Sequence, residues 1–188
     1  MNQHAIAFLG LSGVGKSTLL RELSSHVEFQ HLQASALIKE GRQAAEAQEI
    51  STDTLRHVNI DENQQLLIAG YERSINPKAK LVILDGHSVI DTPAGLVQID
   101  PSVFSALGIS RVIFLADKPA EIVQRRQSDT SRDRPIRSVG DIDVHQDVAL
   151  LNALRICLEL QVPLNVVTPA QREHLRCLLM NIGRDAEC

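Results

Sequence analysis

The sequence predicts an α/β fold, a three-layer α/β/α arrangement around a five-stranded parallel sheet. Three observations lead there. Short apolar runs of strand length alternate with stretches of helical periodicity along the chain. A glycine-rich loop, Gly10-Leu11-Ser12-Gly13-Val14-Gly15-Lys16-Ser17-Thr18, joins the first run to the first helix. The 188 residues suit one α/β domain with a full core, without internal repeats or a low-complexity linker.

In chain order, Ala5 to Leu9 reads as the first buried strand, and Leu19, Leu20, Leu23 and Val27 mark a helix to about His26. Glu28 to Gln33 is a weak second strand. Ser35 reads as a cap before a helix over 36–48. Residues 51–75 read as two polar helices: Ser51-Thr52-Asp53 caps the first, and Asp61 opens the second, with Leu66, Leu67 and Tyr71 on one side and Pro77 closing it. Together, residues 35 to about 77 form a helical insertion before the third strand, with Arg56 at its centre. Leu81 to Leu84 is that strand, ending in Asp85; Thr92-Pro93-Ala94-Gly95 is a turn-rich loop at the carboxyl end of the sheet. Val112 to Ala116 is the fourth strand, with Asp117 capping a helix that has Pro119 in its first turn. Val144, Val148, Leu151, Leu154 and Leu158 mark a long amphipathic helix. Residues 163–167 form the fifth strand, and Leu175, Leu178, Leu179 and Ile182 mark the last helix.

Composition narrows the class. Apolar residues make up 44% and charged residues 22%, ordinary for a globular protein. A net charge of −4 argues against a general nucleic-acid surface. With no Trp, one Tyr and four Phe, stacking platforms for single strands are not supplied, and the core must be mostly Leu, Ile, Val and Ala. Cys157, Cys177 and Cys188 are widely spaced, with no C-x-x-C pair. Cys157 and Cys177 lie in apolar helical patterns and read as small core residues of a protein in a reducing cytosol. The five-residue run before the glycine loop is too short for a signal peptide, and no stretch reaches membrane-spanning length. The expectation is a cytoplasmic protein with neither membrane nor nucleic-acid partner.

The chemistry sits in three places. The loop fits G-x-x-x-x-G-K-[ST] between a strand and a helix, which makes the domain a phosphate-loop NTPase fold. Its glycines let successive N–H groups turn inward onto phosphate oxygens, so Gly10, Ser12, Gly13, Val14, Gly15, Lys16, Ser17 and Thr18 are the candidate nucleotide-binding residues. Lys16 reaches the β- and γ-phosphates, and the Ser17 hydroxyl is a Mg²⁺ ligand. Asp85, ending a strand beside the loop, is the candidate second metal residue, holding Mg²⁺ directly or through water. Arg125, Arg126, Arg132, Arg134 and Arg137 fall within thirteen residues of a net acidic chain. Over about 125–143 they form a lid whose guanidiniums clamp transferring phosphates, with Asp129 and Asp133 as ion-pair partners. The whole suits phosphoryl transfer, where positioning and charge neutralisation dominate and a closed lid excludes water.

The run Leu84-Asp85-Gly86-His87-Ser88-Val89-Ile90-Asp91-Thr92-Pro93-Ala94-Gly95 resembles the D-[TG]-H-x-x-I-x-T-P-x-G segment of archaeal-type adenylate kinases. Arg125-Arg126, Asp129, Arg132 and Arg134 are similar to that family's R-R-x-x-D-x-x-R-x-R lid. His145-Gln146 with Asn152 resembles the start of its next helix, and Arg56 followed by Gln64-Gln65 its monophosphate-binding insertion. The resemblance implies an adenylate-kinase-like enzyme that moves the γ-phosphoryl of ATP·Mg to a nucleoside monophosphate, AMP giving two ADP. Lys16, Arg126, Arg132 and Arg134 would be catalytic. Arg56, His87, Thr92 and Gly95 would face the acceptor, and no general base is needed because an AMP phosphate is already ionised. ATP and a nucleoside monophosphate are the implied partners, with Mg²⁺ as cofactor; the related archaeal enzymes include trimers, so a homo-oligomer is open. Two departures stand out: Leu96-Val97-Gln98-Ile99-Asp100 replaces a Leu-Pro segment, and Ala153 replaces an arginine next to Asn152, leaving Arg155 on another face.

Two other readings fit the same residues. Arg132-Asp133-Arg134-Pro135 also resembles the lid of shikimate and gluconate kinases, and Asp85 would then be the base that accepts a hydroxyl proton. The third is an ATP-dependent switch or assembly factor.

Overall fold

The computed structural model describes residues 3–47, 60–92, 94–129 and 135–185. The elements run β1 (His4–Leu9), α1 (Lys16–Leu23), β2 (Gln30–Gln33), α2 (Ala34–Ala47), α3 (Ile60–Ser74), β3 (Leu81–Asp85), β4 (Val89–Thr92), β5 (Gly95–Gln98), α4 (Pro101–Ala106), β6 (Ile109–Leu115), α5 (Pro119–Ser128), α6 (Val139–Leu160), β7 (Leu164–Val167) and α7 (Arg172–Asp185).

Five strands form a parallel sheet in the order β2-β3-β1-β6-β7, flanked by helices. The three central strands are those that read as unbroken apolar runs, because helices cover both of their faces. Ile6, Phe8, Leu9, Ile83, Ile113, Phe114 and Leu115 are wholly buried there. The edge strands, Gln30-His31-Leu32-Gln33 and Leu164-Asn165-Val166-Val167, are shorter and more polar, as an exposed edge requires. From β1 the chain moves first to β2 and β3 on one side and later to β6 and β7 on the other. That reversal of direction lies beside β1, so the loop leaving β1 sits at the position where open α/β sheets bind ligands.

α2 and α3 pack face to face through two reciprocal glycines. A Cβ on Gly41 would overlap the Leu66 carbonyl oxygen, and one on Gly70 that of Leu37. Bare Cα atoms at both points let the two backbones touch. α2 starts at Ala34, straight off β2, rather than after a cap at Ser35. The helix expected over 51–58, with Arg56, lies outside the described residues.

Three expectations change and one is extended. The turn expected at 92–95 closes a hairpin whose two strands were not expected, β4 pairing antiparallel with β5. Asp117 does not cap α5; Lys118 occupies that position, and Asp117 Oδ1 accepts from the Lys118 N–H at 2.8 Å. Cys157 is buried as expected, but Cys177 is exposed, because the buried face of α7 is Leu175, Leu179 and Ile182. α6 is the largest correction. Its buried face is Ile142, Ala149, Asn152, Ala153, Ile156 and Cys157, while Val144, Leu151, Leu154 and Leu158 point outward. Among the described residues no helix is long and apolar enough to cross a membrane.

Candidate active site

The glycine loop curls because Gly10, Gly13 and Gly15 all take positive φ, a region closed to most side chains. Gly15 is the N-cap of α1, so the free N–H groups of its first turn point into the cleft above. Asp85 is brought there by register: it stands directly beside Phe8 of β1, near the loop's start. A cleft of about 330 Å³ opens over the loop, lined by Lys16, Ser17, Asp85, His87, Arg125 and the start of α2 at Ala34 and Ser35. A smaller cleft of about 140 Å³ adjoins it under Arg126 and Asp91; Leu11, Ser12 and His87 line both.

Lys16 is buried and folded back on the loop. Its Nζ donates to the Gly10 carbonyl at 2.9 Å and lies 3.9 Å from Asp85 Oδ1. Ser17 Oγ donates to Asp85 Oδ2 at 2.9 Å. Burial pushes the Asp85 carboxyl up. His31, Lys16 and Ser17 outweigh it and hold the group below its ordinary value, so it is ionised and weakly basic. His31, on the edge strand β2, puts Nε2 3.6 Å from Asp85 Oδ2. Sequence reasoning missed it, since a lone histidine in a weak strand carries no local signal. One ionised carboxylate and one hydroxyl, both hard oxygen donors, fit Mg²⁺ that takes its other ligands from phosphates and water. Among the described residues no cluster of three His, Cys, Asp or Glu could hold a metal alone.

His87 Nδ1 lies 2.7 Å from the Gly10 carbonyl oxygen. A carbonyl only accepts, so Nδ1 carries the proton in that contact. The imidazole therefore sits against the phosphate loop, where the two clefts meet.

The described ends of the arginine-rich segment are held by acids outside it. Arg125 Nε donates to the Gly13 carbonyl at 2.9 Å, and its guanidinium pairs with Asp117. Arg126 Nε donates to the Ser12 carbonyl at 2.8 Å, and its Nη1 is 3.2 Å from Asp91 Oδ2. On the far side of the lid, Arg137 donates to Asp91 Oδ1 at 3.0 Å and to the Thr92 carbonyl at 3.0 Å. His145 Nδ1 approaches the same carboxylate at 3.7 Å. Asp91 thus gathers Arg126 and Arg137 on one carboxylate, a pairing no local pattern announces. Arg132, Asp133 and Arg134, between them, lie outside the described residues. Directly after Arg137, Ser138 caps α6 in a reciprocal capping box with Asp141, so residues 139–143 of the segment expected as a lid are the first turn of that helix.

Of the expected acceptor residues, His87 reaches the clefts. Thr92 and Gly95 close the hairpin turn, with Thr92 Oγ1 donating to the Gly95 carbonyl at 2.8 Å; neither is among the residues lining these two clefts. Asn152 is buried and donates to the Ser88 and Ile99 carbonyls, tying α6 to the ends of the hairpin. Gln146 clasps the backbone of Asp117 from both sides. Ala153 is buried, and Arg155 faces outward to Glu159, on another face as expected.

A family model described as an AAA domain matches residues 9–143, from the end of β1 through the lid into α6. The chain belongs to that family. It is similar to the adenylate kinase of Thermococcus onnurineus, 27% identical over 147 residues covering 76% of this chain and 74% of that protein. It is also similar to the adenylate kinase of Methanococcus aeolicus, 24% identical over 153 residues covering 78% and 79%. Among solved structures it shares its fold with a gluconokinase from Sinorhizobium meliloti, at TM-score 0.51 and 16% identity over 98% of this chain and 94% of the other. A sugar kinase from Janibacter matches at TM-score 0.55 and 17% identity over 98% of each chain. The chain has the α/β fold that these phosphate-loop kinases share.

Proposed function

We propose that the protein transfers the γ-phosphoryl group of ATP·Mg to a nucleoside monophosphate, AMP giving two ADP. The observation that carries the acceptor class is Asp85, ionised, of depressed basicity and bonded to Ser17. Such a carboxylate organises a cation well and takes up a hydroxyl proton poorly, which favours an acceptor needing no base. The similarity to archaeal adenylate kinases supports the same reading.

The loop amides and the α1 N-terminus hold the donor phosphates, and Lys16 leaves the Gly10 carbonyl to neutralise them. Bound Mg²⁺ supplies further neutralisation of those phosphates, held by Ser17 and Asp85. Arg126, with Arg132 and Arg134 from the lid, takes the charge on the transferring group. His87 at the junction of the clefts orients the acceptor, together with Arg56.

A coupled assay with ATP, Mg²⁺ and a panel of AMP, GMP, CMP, UMP, shikimate and gluconate tests the reading. ADP formation with a monophosphate alone, abolished in a folded Lys16→Ala variant, supports it. Retained transfer in Lys16→Ala overturns it. His31 beside Asp85 favours one second reading, in which the pair activates a hydroxyl acceptor. Turnover with shikimate or gluconate that collapses in His31→Ala would establish that instead.

A further inference from the structure

α6 is apolar on two opposite sides. One side packs into the core through Ile142, Ala149, Ala153 and Ile156. On the other, Val144, Leu151 and Leu158 are 60%, 65% and 71% exposed, and Leu154 beside them is 43% exposed. Seven-residue spacing drifts only about 20° around a helix, so the first three form one straight outer stripe. A helix apolar on two sides can pack against two partners, and the outer stripe stands exposed among the described residues.

We propose that a second copy of this chain covers the stripe, α6 packing antiparallel on α6 about a two-fold axis at Leu151. The pattern is complementary to itself only in that orientation. With Leu151 on the axis, Val144 faces the partner's Leu158, half-buried Val148 faces the partner's Leu154, and exposed Asp147 faces the partner's Arg155. Each pairing occurs twice, as an isologous interface requires. In a parallel pair like would face like, setting Asp147 against Asp147 on the seam, a charge repulsion that the antiparallel order removes. Arg155 makes an exposed ion pair to Glu159 one turn away, a weak contact in water that the guanidinium can share with a second acid. Asp143 and the partner's Glu159 fall at the rim, where water screens them.

The 22 residues of α6 span about 33 Å, enough for this seam but at the small end of specific interfaces. An interface of that size goes with weak, reversible association, which the test below is set to detect. The proposal does not depend on the reaction assigned above.

Sedimentation equilibrium of the full chain, from about 1 to 200 µM, tests it. The wild type should move from one to two chain masses across that range, and Leu151→Glu should stay a monomer. Asp147→Arg and Arg155→Asp should each weaken association about tenfold, and the double exchange should restore it. All three positions are exposed, and circular dichroism confirms that each variant is folded. A wild type monomeric at every concentration overturns the proposal and leaves the stripe to a different protein. A dimer unaffected by Leu151→Glu, a trimer, or a double exchange that fails to restore association also overturns it.

Discussion

Ser17 Oγ and Asp85 Oδ2 stand 2.9 Å apart, although they are 68 residues apart in the chain and come from different elements. Parallel pairing of β1 with β3 sets that distance, because it aligns the end of one strand with the start of the loop that follows the other. On the reading proposed above, this hydroxyl and ionised carboxylate in contact would be the protein's share of a hard-cation site.

Asp85→Asn should therefore lower phosphoryl transfer about 100-fold, the usual cost of losing one electrostatic stabiliser, and raise the Mg²⁺ concentration needed for half-maximal rate. ATP binding should fall far less, since the loop amides are untouched. A magnesium titration of initial rates, beside a nucleotide-binding isotherm, reads both effects.

The same carboxyl makes stability depend on pH with a definite sign. Its value is lowered in the folded protein, so its contribution is complete above the ordinary carboxylate value and fades as pH falls through the lower folded one. The Tm difference between the wild type and Asp85→Asn should be open at pH 5 and close progressively below about pH 4. A difference that persists unchanged at pH 2 would place the stabilisation elsewhere.

Gly70→Ala should destabilise the fold by about 1–3 kcal/mol, because its methyl meets the Leu37 backbone and cannot be relieved by a rotamer change. Gly183→Ala, in open space on α7, should be neutral or slightly stabilising. Urea unfolding of the two variants separates a steric contact from a general dislike of substitution.

Cysteine chemistry should divide the same way as burial. Burial pushes the Cys157 thiol up to about 11, so it stays protonated and inert to iodoacetamide at pH 8. Cys177 is exposed on α7 and should alkylate readily. Peptide mass spectrometry before and after unfolding should find Cys157 modified only after.

Much of this architecture was legible because its signals are local. The glycine loop, the apolar runs of β1, β3 and β6 and the acid ending β3 each occupy a few consecutive residues. What escaped depends on distance or ambiguity. Asp91 lies 35 residues before Arg126 and 46 before Arg137, and nothing near it in sequence suggests an ion pair. His31 meets Asp85 only because β2 pairs with β3. The hairpin of β4 and β5 is made of four-residue strands with half-buried, mixed side chains. In α6 both faces satisfy helical periodicity, so spacing alone chose the outer one. Cys177 shares a helix with a buried face without belonging to it.

The carboxylate of Asp91 gives the lid a resting counter-ion. Arg126 and Arg137 are already neutralised before any ligand arrives, so an incoming phosphate exchanges one anion for another rather than filling an empty cationic hole. Exchange of that kind rewards anions carrying several charges in a fixed array and gives little to a lone inorganic ion of the cell. On the phosphoryl-transfer reading proposed above, Asp91 would set a threshold at Arg126 and Arg137 that a polyphosphate crosses and a simple salt anion does not.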